Sequence, residues 1–258
     1  MQTSGKVCSF FAYALLLCAL SGSSAEERSS RIVAGRNADI RDHPHMLLLR
    51  KNGYATCGAV VIGAKYAITA AHCVYPASNT STISLHGGST TQLGPSVEFS
   101  VARVTVHPRY YDSANDNDIA ILEIRNEFSG YPNVAPITLQ NTEPTSSSGI
   151  CYVTGWGITN TRTNAVSNIL QIGSLQLIPQ RTCRLQWYPN PISANMICAR
   201  GDSADTCAGD SGGPLVCGDR LYGLVSWGSF RCDRTKPAVF TSIFASSIRS
   251  FIKVQSGI

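Results

Sequence analysis

The stretch DTCAGDSGGP, residues 205–214, sets a single hydroxyl, that of Ser211, between an aspartate and paired glycines. Fixing a glycine backbone costs conformational entropy, so Gly209, Gly212 and Gly213 around one serine point to backbone in an unusual geometry. One use of such geometry is to aim N–H groups at an oxyanion developing beside a nucleophile. The plain alternative is a glycine-rich turn carrying a surface serine. A nucleophilic serine needs a base, and the base needs an acid to orient it. Among five histidines, His43, His45, His86 and His107 have polar or turn-like neighbours that suit surface or hydrogen-bonded structural roles. His72 differs: it lies in TAAHC, residues 69–73, where small residues leave room around an imidazole and Cys73 can tie the segment down. The candidate acid is Asp118 in NDIAIL, residues 117–122, whose apolar continuation places the carboxylate in a partly buried setting. An aspartate before a strand also serves simply as a turn acid.

The elements that must position these residues read as short strands separated by turn residues. SVEFSVARVTVHP places Val97, Phe99 and Val101 at period two, then Val104 and Val106, with Ala102–Arg103 breaking the phase as a bulge does. GAVVIGAKYAITA, DIAILEI, ICYVTGWG, LQIGSLQLIP and DRLYGLVSWG are further β-rich pieces bounded by Gly, Asn, Asp or Pro. Their regular spacing predicts a sandwich or barrel, an all-β fold. One helix is predicted at the end, where Phe244, Ile248, Phe251 and Ile252 fall at i, i+4, i+7 and i+8. NTEPTSSSG, residues 141–149, reads as a linker between two β domains of similar size.

With 258 residues, 43% of them hydrophobic and 14% charged, the chain can bury a sizeable core and is not disordered. Its start reads as a secretory signal: Lys6, an apolar run from Val7 to Leu20, and small residues ending at Ala25. That run is too short for a comfortable span of about 20 residues, so no membrane anchor is expected. Removing residues 1–31 leaves 18 basic and 14 acidic side chains, scattered rather than clustered, which argues against a nucleic-acid partner. Cys8 and Cys18 leave with the signal. The other eight cysteines form no C-x-x-C pair and read as disulfides of an exported protein, with 105 pairings open.

IVAG at 32–35, TAAHC at 69–73, NDIAIL at 117–122, GWG at 155–157, GDSGGPL at 209–215 and SWG at 226–228 occur in that order. On these motifs the chain resembles the trypsin-like (chymotrypsin-fold) serine endopeptidases over essentially all of residues 32–258. The resemblance implies two Greek-key six-stranded β-barrels with a C-terminal α-helix: barrel 1 about 32–145, barrel 2 about 146–242, and the helix about 243–254. It implies Ser211 as nucleophile, His72 as general base and Asp118 as orienting carboxylate, with the N–H groups of Gly209 and Ser211 as the oxyanion hole. It implies the disulfides Cys57–Cys73, Cys151–Cys217, Cys183–Cys198 and Cys207–Cys232, which leave no cysteine over. A signal over 1–25 and a propeptide over 26–31 imply a secreted zymogen. Cleavage after Arg31 would free the amine of Ile32 to pair with Asp210.

The same resemblance makes Asp205 the floor of a pocket for arginine or lysine, next to Thr206, with Ser226, Trp227 and Gly228 as the edge that pairs with an extended peptide. Ala238 stands where trypsins usually carry glycine, narrowing the pocket, and Arg231 lies near its rim. Calcium is not expected, because HGGSTTQLGPSVE offers only Glu98 as a carboxylate, and no cofactor or metal is expected otherwise. Asn79 in NTS is an N-glycosylation candidate. The expectation is a secreted, digestive-type, monomeric endopeptidase acting on polypeptides and meeting protein protease inhibitors. The rival readings are a narrow-specificity cascade, venom or salivary protease, and a protease-fold binding protein without catalysis.

Overall fold

The computed structural model describes residues 1, 35–76, 79–144, 149–202 and 204–258. The signal, the propeptide, Arg31 and Ile32 therefore lie outside the described residues, apart from Met1. The chain enters through the two-residue strand β1 (Arg36–Asn37) and then builds β2 (Met46–Lys51), β3 (Tyr54–Val61) and β4 (Tyr66–Thr69). A single helical turn, α1 (Ala71–Val74), follows β4, and then come β5 (Ile83–Gly87), β6 (Val97–Val106) and β7 (Ala120–Ile124). The strands β2 to β7 close into a barrel of order β2-β3-β4-β7-β6-β5. Alternation drives the closure: β5 reads buried, half-buried, buried along its length, and Ile83 and Leu85 point into a core with Leu47, Leu49, Phe99 and Leu122.

After β8 (Thr138–Leu139) the second half contains β9 (Ile150–Gly155), the hairpin β10 (Ile158–Asn160) and β11 (Ala165–Val166), and β12 (Gln171–Ile178). Helix α2 (Gln180–Trp187) then leads to β13 (Met196–Arg200), β14 (Pro214–Cys217), β15 (Arg220–Trp227) and β16 (Ala238–Ser242). Here β12-β13-β16-β15-β14-β9 forms a ring, closed by pairing of β9 with β12. The six strands thus repeat the order of the first barrel, and the all-β, double six-stranded architecture expected from sequence is present. Two pairings cross between halves: β1 adds to β12, and β8 runs parallel to β15. Helix α3 (Ser246–Ser256) seals the junction, with Ile248, Phe251 and Ile252 packed against Ile68 and Ile121 of the first barrel and Leu221 and Leu224 of the second.

The phase break at Ala102–Arg103 is a real bulge: the β6–β7 register shifts between Val101 and Arg103. The terminal helix begins at Ser246 rather than near 243, so Phe244 lies before it and is only half-buried. Helix α2 has no apolar stripe beyond Cys183 and Trp187, the reason periodicity did not reveal it. All four disulfides join the expected partners: Cys57–Cys73, Cys151–Cys217, Cys183–Cys198 and Cys207–Cys232.

Candidate active site

His72 rides on α1, a four-residue helix whose first turn has no side-chain cap. Its position is fixed from outside. Cys73 is bonded to Cys57 on β3, and the Thr69 hydroxyl donates to the Gly58 carbonyl at 2.7 Å. Asp118 precedes β7 and has no exposed surface. One carboxylate oxygen accepts the His72 backbone N–H at 3.0 Å; the other lies 2.8 Å from His72 Nδ1. A carboxylate only accepts, so Nδ1 carries the proton and Nε2 presents its lone pair. The Ser226 hydroxyl donates to the same Asp118 oxygen at 2.6 Å, and the Thr241 hydroxyl donates to the Asp118 carbonyl at 2.7 Å. The Ser226 bond serves a charge that has left water and offsets its desolvation cost, while the Thr241 bond fixes the backbone beside it. Burial works against protonation of His72, but the Asp118 hydrogen bond and charge outweigh it and lift the imidazole above its ordinary pKa.

Ser211 comes from the opposite barrel. Its carbonyl accepts from Gly58 N at 2.8 Å, and Gly212 presses so closely on Thr69 and Gly58 that a side chain there has no room. The serine is thereby seated against the strand that leads into α1. Gly209 has φ +95, and a Cβ would stand 2.9 Å from the Gly157 backbone, so only glycine fits this turn. Among the described residues neither Gly209 N nor Ser211 N donates to a protein acceptor.

Asp210 is fully buried between these groups. It accepts from Gly157 N at 2.9 Å and Cys207 N at 3.0 Å. Loss of solvent dominates those two bonds and pushes its carboxyl up to about 6. Gly155 and Gly157 pack directly on this carboxylate, which accounts for both glycines of the GWG motif.

A cleft of 630 Å³ opens beside Ser211 and is lined by Thr206, Ser226, Trp227, Gly228 and Arg231 among others. Asp205 and Ala238 are buried and stand outside that lining. Asp205 accepts from Thr206 N at 2.9 Å and Arg234 N at 3.0 Å; burial raises its pKa, opposed by those bonds. The Ala238 Cα lies 3.7 Å from where a Cβ on Gly228 would be, so the two walls are close together. Trp227 stacks edge-on against Trp187, with centroids 4.7 Å apart.

The structure therefore joins His72, Asp118 and Ser226 through the Asp118 carboxylate and seats the Ser211–Gly212 segment against Gly58 and Thr69, next to the start of α1. Sequence reading missed the Asp118 bond of Ser226, the Thr241 hydroxyl, the Gly157 amide and the Arg234 amide, none of which carries a local sequence signal. Asn79 is exposed, and its side-chain oxygen accepts from Ser81 N at 3.0 Å and Ser81 Oγ at 2.7 Å. Among the described residues Cys57, His72 and Cys73 cluster as metal-ligand types, but both cysteines are committed to a disulfide. No helix of the described residues is long and apolar enough to cross a membrane.

Comparison with known proteins agrees with this arrangement. The trypsin family model matches residues 32–252. Human kallikrein-8 is 32% identical over 238 residues, covering 90% of this chain and 89% of its own. Trypsin alpha of Drosophila erecta is 31% identical over 243 residues, covering 92% and 93%. The solved structure of neuropsin, a serine protease expressed in the limbic system of mouse brain, superposes with a TM-score of 0.76 at 32% identity. It covers 85% of this chain and 97% of its own.

Proposed function

Because the chain belongs to the trypsin family and is a trypsin-like serine endopeptidase, we propose that it is a secreted zymogen. Cleavage after Arg31 activates it, and it then cuts polypeptides after arginine or lysine. Ser211 Oγ attacks the scissile carbonyl carbon while its proton passes to His72 Nε2. Asp118 steadies the imidazolium, and Gly209 N and Ser211 N hold the oxyanion. His72 returns the proton to the leaving amine, giving an acyl-enzyme that water, deprotonated by the same base, resolves. The observation that carries this reading is the buried Asp118 carboxylate, which binds His72 Nδ1 and the Ser226 hydroxyl through one oxygen.

The activation step draws support from Asp210, a buried carboxylate with two amide donors and, among the described residues, no cation partner. The freed Ile32 ammonium would be that cation. Basic preference draws support from Asp205, buried next to Thr206, which lines the cleft. Ala238 narrows the space, so turnover is expected to be slower than with two glycine walls. The test is the specificity constant of the activated enzyme on matched Arg, Lys, Phe and Leu substrates, repeated with Asp205→Ser and Ala238→Gly. Arg and Lys should lead, fall by about two to four decades in Asp205→Ser because a buried partner is lost, and rise in Ala238→Gly. A lead for Phe or Leu in the parent enzyme would refute the basic preference.

A further inference from the structure

We propose that the face formed by α2, the end of β13 and the 229–236 turn receives acidic residues lying about four to six positions upstream of the bond that is cut. The proposal rests on the reading above, in which an extended substrate pairs with Ser226–Gly228. Antiparallel pairing runs the peptide backwards as protein numbering rises. A residue before the cut that pairs at Ser226 is followed upstream by one at Gly228, and the next pair of positions approaches Phe230 and Arg231.

Phe230 and Arg231 line the cleft, and both are exposed. Around them Arg181 and Arg184 stand on α2, Arg200 at the end of β13 and Lys236 at the end of the turn, with Arg184 Nε donating to the Ile192 carbonyl at 3.1 Å. Contacts tie these elements together. Arg200 donates to Gln186 on α2 at 2.9 Å and to the Thr235 carbonyl at 3.3 Å. Lys236 Nζ lies 4.7 Å from the centre of the Trp187 ring, which stacks on Trp227 at the cleft edge. Among the described residues, none of Arg181, Arg184, Arg200, Arg231 or Lys236 is in an ion pair. Among the described acids, Asp202 and Asp233 lie beside the turn, with the Asp233 carboxylate engaged by Ser229 and Thr235; Glu143 lies near the start of α2, and the Asp116 carboxylate is engaged by Ser193 and Asn195. Cations without counter-ions along the path of an extended peptide favour anionic side chains and repel cationic ones.

The test uses three peptides cut after the same arginine, with the fourth to sixth upstream positions all Asp, all Ala or all Lys. One exposed pair changes binding by roughly 1.5- to 5-fold. The Asp peptide should therefore be cut several-fold to tens of times faster than the Ala peptide at low salt, and the Lys peptide slower. The spread should collapse in 1 M NaCl, where charges are screened beyond about 3 Å. Arg184→Glu/Lys236→Glu should reverse the order while leaving the Ala peptide unchanged. Equal rates at low salt, or an acidic preference that survives the double variant, overturns the proposal. If no peptide is cut after arginine, the basic-pocket reading fails instead. The face is then judged by fluorescence anisotropy of the labelled Asp and Ala peptides on Ser211→Ala protein, where equal affinity overturns it.

Discussion

At the scale of single residues, the pair His72–Asp118 sets the pH behaviour. A raised imidazole pKa means the base is still protonated, and idle, somewhat above the ordinary histidine value. The acid limb of kcat/KM is expected to have its midpoint above 6.5 and to move down in Asp118→Asn, measured across pH 5–9. Removing the second donor should matter too. A hydrogen bond to a charged group contributes about 1.5–3 kcal/mol, so Ser226→Ala should lower kcat roughly tenfold or more in stopped assays of the same substrate. Asp210 has the opposite linkage to an ordinary salt-bridged acid. Its folded pKa of about 6 exceeds the ordinary aspartate value of 3.8, so ionisation adds no cost to burial below about pH 4 and its full cost above about pH 6. The gap corresponds to about 3 kcal/mol. If Ile32 supplies the missing cation, cleavage after Arg31 should raise the Tm of Ser211→Ala protein much more at pH 7 than at pH 4.5. An equal rise at both pH values would contradict the pairing.

At the scale of elements, two disulfides do different work. Cys151–Cys217 spans 66 residues and ties β9 to β14, whereas Cys57–Cys73 spans 16 and holds the turn that carries His72. Loss of the long bridge should cost about 2–5 kcal/mol of stability, read as a lower denaturant midpoint, with kcat/KM of the folded fraction little changed. Loss of the short bridge should depress kcat/KM as well, because α1 has no cap of its own to fix it. Strand positions were legible in sequence because alternation and bulges leave local marks, as Ala102–Arg103 does in β6. Helix α2 was not legible, since its burial rests on Cys183 and Trp187, whose partners are distant. The late start of α3 was hidden for a related reason: Phe244 keeps the helical spacing while packing edge-on against Tyr222 before the helix begins.

At the scale of the molecule, chemistry depends on two barrels of identical strand order meeting across a shared core. His72 and Asp118 come from the first and Ser211 and Ser226 from the second, joined by Gly58 N to the Ser211 carbonyl and by Ser226 to Asp118. Sequence motifs singled out the candidate reactive residues because their types and glycine neighbours are constrained locally. The long-range donors, Thr241 to Asp118 and Arg234 N to Asp205, follow only from how the barrels fold. The most direct test of the central claim is fluorophosphonate labelling of the chain after cleavage at Arg31, followed by peptide mapping. The account expects one label, on Ser211, lost in His72→Ala and absent before cleavage. A label on another residue, or none on the cleaved chain, would contradict it.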